Sequence, residues 1–329
     1  MTWTSYYRPP ESTDWQGRDD IPPASCFFQL VYPFDLTKPH TIQLTKTTFG
    51  VIGFCCDEGI RRNKGRIGAA SGPSAIRQAL GKFPVQKPTL QFFDAGDILC
   101  VDHNLESAQE ALGEAVALLF KNGLIPIVLG GGHELAWGHY QGIAKTFSKQ
   151  SLGIINFDSH FDLRPLTKNG STSGTPFTQI AEAHAALDRH FDYNCIGIQH
   201  TCNIRQLLEM AKKYDTHVIW ADELHQGLGE KCVDFIDRII DQNQIIYLSL
   251  CLDVFSAAFA PGVSAIQPCG LLPWHVIPLI RQLAASGKVI SYDIAELSPR
   301  FDIDHSTAKL AASLIYELIH HHNENPREW

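Results

Sequence analysis

The chain has no apolar stretch that reaches the eighteen or so residues needed to span a bilayer, and its first ten residues, MTWTSYYRPP, lack the charged and apolar regions of a signal peptide. A cytoplasmic protein with no membrane partner is expected. It also lacks a basic run, and 27 Lys and Arg against 35 Asp and Glu leave a net charge of -8. That balance argues against a nucleic-acid surface and points to a small-molecule substrate. No internal repeat, low-complexity segment or linker interrupts the 329 residues, so one large domain is preferred over two. The nine cysteines are odd in number and irregular in spacing, which excludes a disulfide framework. Cys55 and Cys56, adjacent in an apolar run, read as packing residues.

Residues 1 to 45 are rich in proline and aromatics and show neither helical nor strand period, so they read as an arm packed on a single domain of residues 46 to 329. Beyond them, apolar strand-like runs near 48 to 54, 91 to 94, 124 to 129, 152 to 157, 193 to 198, 217 to 220, 245 to 251 and 288 to 294 alternate with helical patterns. Strand alternating with helix means a parallel sheet covered on both faces. A last helix near 303 to 322 ends in His320, His321 and His322. Consecutive residues on a helix do not share a face, so these histidines read as a solvated end rather than a metal cluster.

Three of the strands run into potential metal ligands. The run 152 to 157 leads to Asp158, His160 and Asp162 at spacings of two, and alternate residues of an extended chain point the same way. The run 124 to 129 leads through Gly130, Gly131 and Gly132 to His133 and Glu134, and three glycines permit close backbone approach. The run 245 to 250 leads to Cys251 and Asp253, again two apart. In open α/β sheets, sites form beyond the carboxyl ends of the strands. Oxygen and nitrogen donors from three such ends suit one shared divalent metal centre. The polar loop 57 to 66 follows another strand, and it reads either as solvated surface or as a pocket rim carrying Arg61, Asn63 and Arg66.

Taken together, Gly-Gly-Gly-His at 130 to 133, Asp-Ser-His-Phe-Asp at 158 to 162, Cys-Leu-Asp at 251 to 253 and Glu296 before Leu-Ser-Pro resemble the arginase and agmatinase family of ureohydrolases, over roughly residues 48 to 320. Within it, Gly-Gly-Gly-His-Glu, the run Asp158 to Arg164, Ser-Gly-Thr-Pro-Phe at 173 to 177, Ala-Pro-Gly-Val-Ser-Ala at 260 to 265 and Ser-Tyr-Asp-Ile-Ala-Glu at 291 to 296 are similar to the branch acting on formiminoglutamate. The resemblance implies a three-layer α/β/α sandwich with a central eight-stranded parallel sheet, two manganese ions and, often, a homo-oligomer. The ligands it implies are His133, Asp158, His160, Asp162 and Asp253, with position 251 completing the set. Here the chain departs from the family, which has a bridging aspartate where this sequence has Cys251. A thiolate offers one soft sulfur in place of two hard oxygens, so one manganese site is expected to be weak. Equally, Cys251 reads as a buried packing residue.

The implied reaction is hydrolysis of N-formimino-L-glutamate to L-glutamate and formamide by a metal-activated hydroxide, in histidine degradation. Glu296 would fix the amidinium, and Asp162 would carry the proton to the departing amine, as the resemblance implies for its equivalent. A substrate with two carboxylates needs cations or donors. Arg164, two residues past the last ligand, is the first choice, followed by Arg61, Arg66, Ser173 and Thr175. Two other functions fit less well: a guanidine hydrolase such as agmatinase, whose cationic substrate sits badly with these arginines, and a metal-poor, non-catalytic binding protein, supported only by Cys251.

Overall fold

The computed structural model describes residues 2–40, 48–87, 90–168, 170–227 and 229–323. The expected boundary between residues 45 and 46 lies outside them. Ten strands among the described residues form one sheet: β1 (Tyr7–Arg8), β2 (Val31–Pro33), β3 (Thr48–Cys55), β4 (Gln91–Leu99), β5 (Ile125–Leu129), β6 (Leu152–Phe157), β7 (Asp192–Ile198), β8 (His217–Trp220), β9 (Ile245–Cys251) and β10 (Val289–Ala295). The order β4-β3-β5-β10-β9-β6-β7-β8 is parallel throughout, which is the expected eight-stranded sheet. Two short strands from the N-terminal stretch extend it. β2 pairs in parallel with Phe92 to Asp94 of β4, and β1 pairs antiparallel with Asp97 and Ile98 of the same strand. Between those stretches Gly96 sits at φ +79°, where a Cβ would lie 2.2 Å from the Arg8 carbonyl oxygen. The kink hands the outer edge of β4 from one partner to the other, and an edge that would otherwise be open is covered.

The helices are α1 (Glu58–Arg62), α2 (Gly72–Leu80), α3 (Leu105–Lys121), α4 (Leu135–Thr146), α5 (Pro176–Ala186), α6 (Arg205–Lys213), α7 (Ala221–His225), α8 (Glu230–Gln242), α9 (Pro273–Ala285) and α10 (Ser306–His321). They cover both faces because the central strands are apolar on both. Along β9, Ile246, Leu248 and Leu250 join a core under α2, α8, α9 and α10, while Ile245 and Tyr247 join a second core under α3, α4, α5 and α6. Alternation at period two therefore makes three layers. No helix among the described residues is long and apolar enough to cross a membrane. All nine cysteines are free. The end of α10 differs from the expected solvated terminus: His322 is buried, its Nδ1 2.6 Å from the Tyr292 hydroxyl, and His320 stacks on Tyr316.

Candidate metal centre

The carboxyl ends of β5, β6, β9 and β10 are adjacent in the sheet, and each delivers a functional side chain. Past β5 the three glycines continue the ladder between β3 and β10: Gly131 donates to the Phe54 carbonyl at 2.9 Å, and Glu296 donates its N–H to the Gly131 carbonyl at 2.8 Å. A Cβ on Gly131 would stand 2.0 Å from the Cys56 carbonyl oxygen, so only glycine fits there. This squeezed passage sets His133 inside the crevice, buried and edge-on to Phe177.

His133 Nδ1 lies 2.9 Å from Asp158 Oδ2 and 2.9 Å from Asp162 Oδ2. His160 Nδ1 lies 3.3 Å from Asp158 Oδ1 and 3.2 Å from Asp253 Oδ2. One donor atom from each of His133, Asp158 and Cys251 falls within 4.8 Å of the others, and the same holds for Asp158, His160 and Asp253. Asp158 belongs to both groups, so two cations would share it. Asp162 stands at φ +46° and Glu296 at φ +72°, a left-handed conformation that non-glycine residues adopt rarely and that concentrates at functional sites.

The donor set fits divalent cations on a direct observation: Asp253 Oδ1 is buried without a hydrogen-bond partner, and His133 Nδ1, though 2.9 Å from two carboxylate oxygens, is aligned for a hydrogen bond with neither. Buried polar atoms are otherwise nearly always paired. Electrostatics agree. Burial, then the neighbouring Asp158 charge, pushes Asp253 up to about 6, and burial raises Asp162 and Glu296 as well. The Cys251 thiol is held well above its usual range by burial and then by the surrounding carboxylates. Burial disfavours the His133 imidazolium, yet Asp158 and Asp162 outweigh it and raise its pKa. So many crowded acids call for cationic charge between them.

Behind the centre lies a buried network. His133 Nε2 is 2.9 Å from Ser249 Oγ, Ser249 Oγ donates to Asp293 Oδ1 at 2.7 Å, and Asp293 also meets Tyr247 and, at 2.8 Å, His139 Nδ1. With Nε2 turned to Ser249, Nδ1 faces the metal side. Ser249 continues backward the period-two pattern of Cys251 and Asp253, and that spacing was the signal for it. Asp293 is a charged residue inside an apolar strand, a second signal.

In front of the centre opens a cavity of about 310 Å³ lined by His160, Asp162, Cys251, Asp253 and Glu296 on its floor and by Asn63, Lys64, Arg66, Arg164, Ser173 and Ser264 on its walls. Arg164 is exposed there, and no acidic side chain among the described residues pairs with it. Ser173 accepts from Asn63 Nδ2 at 3.0 Å. Two expected substrate residues are placed outside this cavity. Arg61 grips Glu58 of its own helix with both Nε, at 2.7 Å, and Nη2, at 2.6 Å. Thr175 is buried, its hydroxyl 3.0 Å from the Thr172 carbonyl oxygen and 3.0 Å from Gln179 Oε1, so it ties the turn before α5. Arg66 reaches the wall, but its guanidinium donates to the carbonyl oxygens of Ser264 and Val263 at 2.9 and 2.5 Å. Lys64 was not among the residues singled out from the sequence.

A model of the arginase family matches residues 47–321. The chain is 43% identical over 322 residues to formimidoylglutamase of Clostridium tetani, covering 95% of each. Its fold is similar to the crystal structure of formimidoylglutamase from Bacillus subtilis, with a TM-score of 0.78, 22% identity and 92% of both chains covered. It is also similar to Trypanosoma cruzi formiminoglutamase with two Mn2+, with a TM-score of 0.75, 26% identity and coverage of 87% of this chain and 97% of that one.

Proposed function

Because this chain belongs to the arginase family, we infer that it is a metal-dependent hydrolase that converts N-formimino-L-glutamate and water to L-glutamate and formamide, a step of histidine degradation. The observation that carries the reading is the convergence of His133, Asp158, His160, Asp162, Cys251 and Asp253 from three strand ends beneath one cavity walled by cations. His133, Asp158, Asp162 and Cys251 would hold one ion and Asp158, His160 and Asp253 the other, with manganese the proposed pair. Two divalent cations held there lower the pKa of water and stabilise negative charge that develops on the substrate.

The protein's own groups supply the rest. Glu296 already accepts the His133 backbone N–H on Oε1 at 2.9 Å, which leaves Oε2 to accept from an amidinium nitrogen and fix the formimino carbon over the floor. Asp162, at the cavity edge of the centre, takes a proton from the attacking water and returns it to the α-nitrogen of glutamate. The bond from the formimino carbon to that nitrogen then breaks, giving an amine and formamide. Arg164 receives the α-carboxylate as a two-pronged donor, and Ser173 adds a hydroxyl beside it. A guanidine substrate with a cationic amine would meet Lys64, Arg66 and Arg164 at the wall, which favours the dicarboxylate.

Chelation followed by assay tests the reading. Formamide release from N-formimino-L-glutamate should vanish on metal removal and return with manganese, while agmatine should yield little urea before or after. Release that survives exhaustive chelation would contradict the mechanism.

A further inference from the structure

The floor of the cavity is acidic and its outer wall carries three cations, Lys64, Arg66 and Arg164. They are not equally available. Besides donating to Ser264 and Val263, Arg66 lays its guanidinium over the Phe301 ring at 4.1 Å, so it staples the rim loop to the loop at 263 to 265. The neighbours of Lys64 are tied in the same way. Asn63 donates to Ser173, Gly65 N–H donates to the Ile60 carbonyl at 2.9 Å, and the Lys64 N–H itself donates to the Arg61 carbonyl at 3.1 Å. Over 63 to 66, Lys64 alone has a side-chain polar group with no partner among the described residues. It is also exposed, and it faces the cavity.

Lys64 stands at φ +64°, the left-handed region that glycine enters freely and lysine does not. The conformation is the left-handed cap that closes α1, with the Gly65 and Lys64 N–H groups bonded back to the Ile60 and Arg61 carbonyls. That cap carries the Lys64 side chain out to the cavity wall, where its ammonium has no partner among the described residues.

We propose that Lys64 binds the side-chain carboxylate of N-formimino-L-glutamate, while Arg164, which lines the same cavity, takes the α-carboxylate. The proposal rests on the function inferred above and adds the residue that selects a dicarboxylate. The division follows from chemistry. The α-carboxylate is one bond from the carbon bearing the reacting nitrogen, so it stays close to the centre, where Arg164 follows Asp162 by two residues. The second carboxylate lies at the end of a flexible chain, and a point charge on a four-carbon arm follows it better than a fixed fork.

Lys64→Gly is the informative variant, because glycine relieves φ +64° and the fold should melt no lower than the parent. With N-formimino-L-glutamate its kcat/KM should fall roughly tenfold or more, the usual effect of losing one charge-assisted hydrogen bond. N-Formiminoglycine has the α-carboxylate only, so the preference for N-formimino-L-glutamate over it should drop by a similar factor. Lys64→Arg should retain part of that preference. An active parent whose Lys64→Gly variant keeps the same preference overturns the role of Lys64 alone. A parent loaded with manganese that releases no formamide from N-formimino-L-glutamate overturns the functional reading, and this proposal with it.

Discussion

At the scale of single residues, Cys251 is the departure with the clearest consequence. Buried at the end of β9, it offers one sulfur within 4.8 Å of donor atoms of His133 and Asp158, in place of the bridging carboxylate that the resemblance to the family implies. Manganese prefers oxygen donors, and a thiol must also lose its proton to bind. Protein equilibrated with excess manganese and then freed of unbound metal should therefore hold fewer than two ions per chain by elemental analysis. Cys251→Asp should raise that number, and Cys251→Ser should separate a sulfur ligand, whose loss lowers zinc affinity, from a packing residue, whose loss changes no metal affinity. Two manganese ions per chain of the parent after that treatment, unchanged by Cys251→Asp, would refute the weak-site argument.

At the scale of elements, the rim of the cavity depends on the short helix α1, and Glu58 holds it. Its carboxylate, almost fully buried, accepts from Arg61, from Arg62 Nε at 2.8 Å and pairs with His103 Nδ1 at 3.0 Å. Burial alone would raise its pKa, but Arg61, Arg62 and His103 outweigh burial and bring it down to about 2. A depressed carboxyl stabilises the fold fully above its unfolded pKa and loses that contribution as pH falls through the folded one. The parent should thus exceed Glu58→Gln by about 2 kcal/mol near neutrality, after allowance for the exposed Arg61 partner. Urea unfolding at several pH values should show this gap closing between about pH 4.5 and 2. A gap that is constant across that range would remove Glu58 as the anchor of α1. The same element shows why part of the site was legible and part was not. Ligands at strand ends announce themselves, because period-two spacing in Asp158, His160 and Asp162 and in Cys251 and Asp253 survives without any knowledge of neighbours. Which cation of a charged loop faces inward depends on partners that no periodicity shows: Arg66 meets Ser264, Arg61 turns back on Glu58 three residues earlier, and the Lys64 side chain has no partner among the described residues. β1 and β2 escaped notice for a related reason, since two or three residues carry no period.

At the scale of the whole molecule, the N-terminal stretch is stitched into the sheet by buried charge. Arg77 of α2 is fully enclosed and donates to Asp97 Oδ1 at 2.7 Å, to Asp94 Oδ1 at 2.9 Å and to the Gly96 carbonyl at 2.7 Å. The remaining oxygens of those two carboxylates are satisfied from the N-terminal side, by Arg8 on Asp97 Oδ2 at 2.7 Å and Trp15 Nε1 on Asp94 Oδ2 at 2.6 Å. Five groups from three parts of the chain thus meet at the kink of β4, next to the edge that β1 and β2 cover. Removing one member of such a cluster leaves charge buried without compensation, which costs roughly 3 to 5 kcal/mol. Arg77→Met should therefore lower the urea midpoint strongly although methionine fits an apolar site. Deleting residues 2 to 16 should also lower it, because Arg8 and Trp15 go together and the edge of β4 opens at Asp97 and Ile98, where β1 had covered it. In both cases unfolding should stay a single transition followed alike by tryptophan fluorescence and circular dichroism, since the stretch shares the sheet of the metal centre. A shortened chain that unfolds at the parent's midpoint would show that the N-terminal residues contribute nothing to the fold that carries the site.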